Sequence, residues 1–326
     1  MSAVPLPPPN PATDATLLQV APAWRSPLIV AVVGLAAWFA LPDQLGLLTR
    51  IATSALLVLS LDLVVGLAGL VTLGHAAMFG IGAYAAGVAA LRWHPDPTVG
   101  LAIGIAAGAA MAALSGAFLL RYSGFTFLML TVAMAQILQN LASKWRDVTG
   151  GDDGLTGFTM GPLFGRFAFD LEGRTAALYA MGVLVIGLYV ARRVVDSPFG
   201  LAVRGIHQNR QRMAALGTPV FRRLLAMYTI AGALAGAAGA LSAQTNAIVG
   251  VDSFGFALSA ELLVMLILGG AGRLHGALIG AVVFTLLHHT AASINPYHWL
   301  FVVGAVLMIV VLVPPQKLID RWRDRS

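Results

Sequence analysis

Apolar runs of about twenty residues recur along the whole chain, separated by short stretches that hold nearly all the charge. A bilayer core of roughly 30 Å needs about 20 apolar residues in a helix. The runs therefore predict spans at about 28–41, 46–65, 70–91, 99–120, 124–143, 175–192, 224–243, 254–270, 275–292 and 297–313. This is an all-α, polytopic helical membrane protein of about ten spans (eight to ten), with both termini on one side. The transmembrane domain covers 28–315, flanked by a flexible tail at 1–27 and a basic tail at 316–326.

Composition agrees with that reading. Of 326 residues, 58% are hydrophobic and 10% charged, against about 25% charged in a soluble domain. The net charge of +6 does not point to nucleic acid, because the basic residues sit beside the spans. It sets orientation instead. The segment 192–223 holds seven arginines against Asp196 alone, so this loop (193–223) is expected in the cytoplasm. The tail with Lys317, Arg321, Arg323 and Arg325 lies four spans later, on the same side. The loop 144–174 carries four Lys/Arg and five acids, which suits the outside. The proline-rich first 27 residues lack the regions of a signal peptide. With no cysteine there is neither a disulfide nor a thiolate metal site.

The stretch 59–87 stands out. It is apolar, yet it carries Asp62 and His75 and six glycines, at 66, 69, 74, 80, 82 and 87. Glycine weakens a helix interior by roughly 1 kcal/mol relative to alanine, so the density predicts a broken helix or close backbone approach. Irregular backbone inside a membrane is tolerated only where protein or a watery cavity covers it. A weak echo appears later: Gly66-Leu-Ala-Gly69 precedes His75, and Gly269-Gly270-Ala-Gly272 precedes His275. Paired glycine interruptions of this kind mark the transport pathway in many transporters. The residues expected along it are Asp62, Gly69, Thr72, Gly74, His75, Phe79, Glu261, Gly269 and Gly270. Gly104, Gly108, Ala112 and Gly116, like Gly232, Gly236 and Ala240, repeat every four residues and predict close helix packing.

The cytoplasmic loop reads as one or two short amphipathic helices. Ser197-Pro198 is an N-cap and first helical residue, apolar residues follow at near-helical spacing, and Gly217 supplies a stop. The residues alone fit either a connector resting on lipid headgroups or a docking surface.

Here the chain resembles a family. Leu73-Gly-His-Ala-Ala-Met-Phe-Gly-Ile-Gly-Ala-Tyr84, Thr149-Gly-Gly-Asp-Asp-Gly-Leu155, Ser197-Pro-Phe-Gly-Leu-Ala-Val-Arg-Gly-Ile206, Ala214-Ala-Leu-Gly217 and Leu268-Gly-Gly-Ala-Gly-Arg-Leu-His-Gly-Ala277 are similar to permease subunits of branched-chain amino acid ABC importers. Asp62 and Arg273-Leu-His275 depart from the usual pattern. The resemblance implies an inner-membrane, multi-pass importer subunit working by alternating access. Its implied partners are a second related permease, two ATPase subunits and an external solute-binding protein. The loop would seat in the ATPases through Ser197, Gly200, Arg204, Ile206, Asn209, Ala214, Leu216 and Gly217. ATP and Mg would lie on those partners, and this chain, with no G-x-x-x-x-G-K-[ST] phosphate loop, would carry no cofactor and catalyse nothing. Related permeases take urea, short amides or aromatic acids.

Several polar residues keep two readings. Asp62 either accepts bonds from a nearby serine or backbone amide, or takes part in transport. Glu261 either stabilises a helix start or lines the path. His75 either lines the path or pins the glycine-rich break. His288-His289 read as interfacial, and Gly150–Gly154 as an external turn. No His, Asp and Glu set has metal-ligand spacing. A proton-coupled secondary transporter using Asp62 or Glu261 is the rival function. A membrane enzyme lacks any convergent catalytic pair.

Overall fold

A computed structural model describes residues 25–163, 165, 167 and 173–294, with Gly304 and Met308 as isolated helical positions. Among the described residues, nine apolar helices form the bundle: α1 (Arg25–Ala40), α2 (Leu45–Asp62), α3 (Ala76–Arg92), α4 (Pro97–Leu119), α5 (Phe125–Lys144), α6 (Arg174–Val195), then, after α7 (Pro198–Gln208) and α8 (Arg210–Ala215), α9 (Val220–Asn246), α10 (Phe256–Gly269) and α11 (Leu274–Ile294). Each of the first nine expected spans falls on one of them. The tenth, 297–313, lies outside the described residues, as do both charged tails.

Among the described residues, six segments are long and apolar enough to cross a membrane: those built on α2, α4, α5, α6, α9 and α11. The other three are shorter, with 16, 17 and 14 residues in α1, α3 and α10. At 1.5 Å per residue α10 covers about 21 Å, less than the hydrocarbon thickness. The expected span at 70–91 is a 17-residue helix entered through irregular chain at 68–75. Much of the outward surface is apolar, as lipid requires, with Leu114, Phe118, Ile137 and Ile186 exposed.

The centre is built from small residues. α9 packs most extensively on α4 and then on α3, and α3 packs on α4. A methyl added at Gly236 would strike the carbonyl oxygen of Gly104 and the Cα of Gly108, and one at Gly82 would strike the backbone of Gly236. The glycine repeats read from the sequence therefore face each other across one three-helix seam. α2 crosses the other side of α9 and carries the largest block of buried leucines, with α6, α10 and α11 around it. Local signals set the ends. Asp96 caps α4 by accepting from the Thr98 amide at 3.0 Å with Pro97 in the first turn. The Gln244 amide near the end of α9 donates to the Pro97 carbonyl at 2.7 Å.

Because backbone rather than side chain meets backbone at the seam, a larger residue there has nowhere to go. Gly236→Leu is expected to cost at least about 2 kcal/mol and to lower the midpoint of thermal unfolding in detergent by several degrees. Gly182→Leu, at an exposed position with nothing within 4 Å, leaves it unchanged.

Candidate functional site

The first interruption begins where α2 widens. After Asp62 the ladder shifts to a π turn over Leu63–Leu67, with the Ala68 amide donating to the Leu63 carbonyl at 3.3 Å. Such turns free backbone groups and occur often at functional sites. The chain then reverses at Gly69, whose φ of 70° is left-handed. It runs without helix to His75. The second interruption follows α10 at Gly270–Arg273. Its Gly272 amide donates to the Asp62 carboxylate at 2.6 Å, and a methyl at Gly66 would collide with both Asp62 and the Gly272 backbone. The two glycine motifs that echo one another in sequence touch in space.

Polar side chains of other helices, and Thr72 within the strand, secure the irregular chain. Thr131 of α5 accepts from the Leu73 amide at 3.4 Å, and Thr72 accepts from the Gly74 amide at 3.2 Å. Ser259 of α10 accepts from the Ala76 amide at 3.1 Å and so serves the N-terminus of α3. The Ser60 hydroxyl donates to the Leu57 carbonyl at 2.6 Å. Its one proton is thereby used, so the His75 ring, 2.8 Å away, donates from Nε2. The buried Nδ1 then faces no protein partner among the described residues. Asp62, Thr72 and His75 are buried. All three make hydrogen bonds within or across the breaks.

Above this layer lies a cavity of about 910 Å³. It opens at the end of the bundle opposite α7 and α8, since the first turns of α6 and the last turns of α9 line it. Its polar wall carries Arg50, Thr53 and Ser54 of α2, Gln244–Asn246 of α9, Glu261 of α10 and His288 of α11. Leu57, Phe79, Leu262, Met265 and Phe284 complete the lining. Those five are all buried, and together they give the cavity an apolar floor. Phe158–Met160 from the 144–174 loop cover one side, held by the paired bonds between Leu155 and Val249 at 2.8 and 3.0 Å. Arg50 and Glu261 both line the cavity and form no ion pair with each other among the described residues. Gln244 leaves its buried amide oxygen without a protein partner there.

Of the expected pathway residues, Phe79 and Glu261 line this cavity. Asp62, Gly69, Thr72, Gly74, His75, Gly269 and Gly270 belong to the breaks beneath it. His288, read as interfacial, lies in the lining near the end of α11. Arg50 went unnoticed because a lone arginine five residues into a span reads as a boundary marker. The Gly150–Gly154 stretch is a turn, as expected, with Asp152 taking the Ser143 hydroxyl.

The opposite end carries α7 and α8. Ser197 caps α7 by accepting from the Gly200 amide at 3.2 Å, and Asn209 caps α8 by accepting from the Arg212 amide at 2.8 Å. Gly200 and Ile206 pack inward, while Arg204, Asn209, Ala214, Leu216 and Gly217 are exposed. α7 rests on α9, α6 and the π turn.

Residues 44–311 match the family described as branched-chain amino acid transport system / permease component. The chain belongs to that family. It is 29% identical over 295 residues to the high-affinity branched-chain amino acid transport system permease protein LivM of Salmonella typhimurium, covering 82% of this chain and 68% of the relative. The ribose import permease protein RbsC of Escherichia coli is 24% identical over 289 residues, 86% of this chain and 88% of the relative. The galactose/methyl galactoside import permease protein MglC of Haemophilus influenzae is 25% identical over 234 residues, 68% of each chain. No solved structure matches significantly. This permease is a multi-pass protein of the bacterial inner membrane and a transport subunit of an ABC importer, a class that works with ATPase and solute-binding partners.

One further feature of this permease escaped the sequence reading. Gln136, Gln139, Asn140 and Ser143 stand at i, i+3, i+4 and i+7 on α5, inside a segment long enough to span the membrane. With Asp152 and Asp252 they line a second, polar cavity of about 430 Å³. Hydrocarbon does not solvate such a stripe.

The cavity and the α7–α8 connection lie at opposite ends of the 27-residue α9. The chain has no cysteine of its own, so single cysteines at Asn246 and Leu216 report accessibility cleanly. A membrane-impermeant thiol reagent is expected to label Asn246→Cys in intact cells and Leu216→Cys only after permeabilisation.

Proposed function

We propose that this permease carries branched-chain or related amino acids inward, driven by ATPases bound at α7 and α8. The observation that carries the reading is the unpaired juxtaposition of Arg50 and Glu261 across a cavity with an apolar floor. A zwitterionic solute presents a carboxylate and an ammonium, and it can bridge two charges that do not bridge each other. Its aliphatic side chain then meets Leu57, Leu262 and Met265. A sugar offers neither charge, and urea or a short amide offers no aliphatic chain. The LivM relatives support the amino-acid choice, and the printed names of RbsC and MglC mark sugars as the alternative outcome.

In this reading the cavity faces outward and receives solute from an external binding protein. Hydrolysis of ATP takes place on the partners, with Mg held there. Arg204, Asn209, Ala214, Leu216 and Gly217 form the exposed seat for them, while Ser197 caps α7 and Gly200 and Ile206 anchor it from beneath. Both chain ends then lie in the cytoplasm. The second permease covers the polar stripe of α5, giving Gln136, Gln139 and Asn140 the partners that lipid withholds.

Reconstitution with the partner ATPases, second permease and binding protein tests the assignment through uptake of labelled leucine. Arg50→Gln and Glu261→Gln each remove a charge-assisted contact, a loss of roughly 1.5–3 kcal/mol, and are expected to lower leucine uptake at least tenfold at subsaturating solute. Uptake of ribose instead of leucine, or leucine uptake indifferent to both changes, overturns the substrate assignment.

A further inference from the structure

We infer that His207 and Asp62 are positioning residues of a latch through which α7 controls both glycine breaks. The inference rests on the reading that α7 and α8 seat the ATPases. Three contacts lie in sequence. The His207 ring occupies the place where a Cβ of Gly69 would stand, so the helix abuts the corner at which the chain reverses. The π turn, on which α7 also packs, joins that corner to Asp62. Asp62 in turn holds the Gly272 amide at 2.6 Å, and Gly66 admits no methyl between them.

Gly272 is the joint between α10 and α11, which bring Glu261, Leu262, Met265, Phe284, Thr285 and His288 to the cavity. A carboxylate accepting a backbone amide is stronger than a neutral hydrogen bond. It makes the two breaks move together until it ruptures, and packed elements of this kind switch between discrete arrangements. His207 is exposed on its outer side, next to Arg204, and so lies between the docking face and the break. A displacement of α7 reaches the cavity floor along this line without passing through the rigid α3–α4–α9 seam.

The test uses the full reconstituted complex and reads labelled leucine transported per ATP hydrolysed, a ratio that a purely structural role does not move. His207→Ala and Asp62→Ala are expected to retain the ATPases on purification and to hydrolyse ATP within about twofold of wild type. Transport per ATP falls at least fivefold in each. His207→Phe keeps a ring against Gly69, and Asp62→Asn keeps an acceptor for Gly272, so both return the ratio to within about twofold of wild type. His207 is at the surface, so its variants report even where Asp62→Ala fails to fold. An unchanged ratio in His207→Ala, or a ratio that neither conservative variant restores, overturns the latch. Failure of the ATPases to remain bound to the wild-type chain overturns the docking reading, and the latch with it.

Discussion

A backbone amide that leaves its helix inside hydrocarbon has no water to turn to, and the protein must supply its acceptor. That constraint organises this fold. Each interruption is served by a group from another helix: Thr131 for Leu73, Ser259 for Ala76, Asp62 for Gly272. Since an unsatisfied buried amide costs several kcal/mol in lipid, the positions of α5, α10 and α11 against the breaks are fixed together. The strand 68–75 is thus less a loop than a shared joint of four helices.

The helical class, the apolar helices among the described residues and the capped helices of the connection were legible because membrane hydropathy and N-cap chemistry are local signals. Ser197-Pro198 and Gly217 carry their meaning in a few neighbouring residues. The glycine echo at 66–69 and 269–272 was visible as a pattern, but its contact was not. Nothing in either motif says that Gly66 and Gly272, 206 positions apart, share a surface. Arg50 and Gln244 were hidden for the same reason. Each is unremarkable on its own helix and acquires meaning only when three helix ends converge on one cavity.

Charge distribution separates the two ends of the molecule by task. The cavity end holds few charges of both signs, set apart from one another among hydroxyl and amide groups. The α7–α8 end holds exposed arginines on short capped helices. A surface of the second kind suits reversible contact with another protein, where exposed pairs contribute little individually and long-range attraction speeds encounter. A cavity of the first kind suits weak, repeated occupancy, which favours passage over retention.

The seam of Gly82, Gly104, Gly108, Gly232 and Gly236 has a mechanical consequence. Helices in backbone contact cannot slide, because any shift along the axis drives a carbonyl into a neighbouring Cα. α3, α4 and α9 therefore hold together as one rigid body. Where side-chain bulk is least, the helices fix one another's register most firmly.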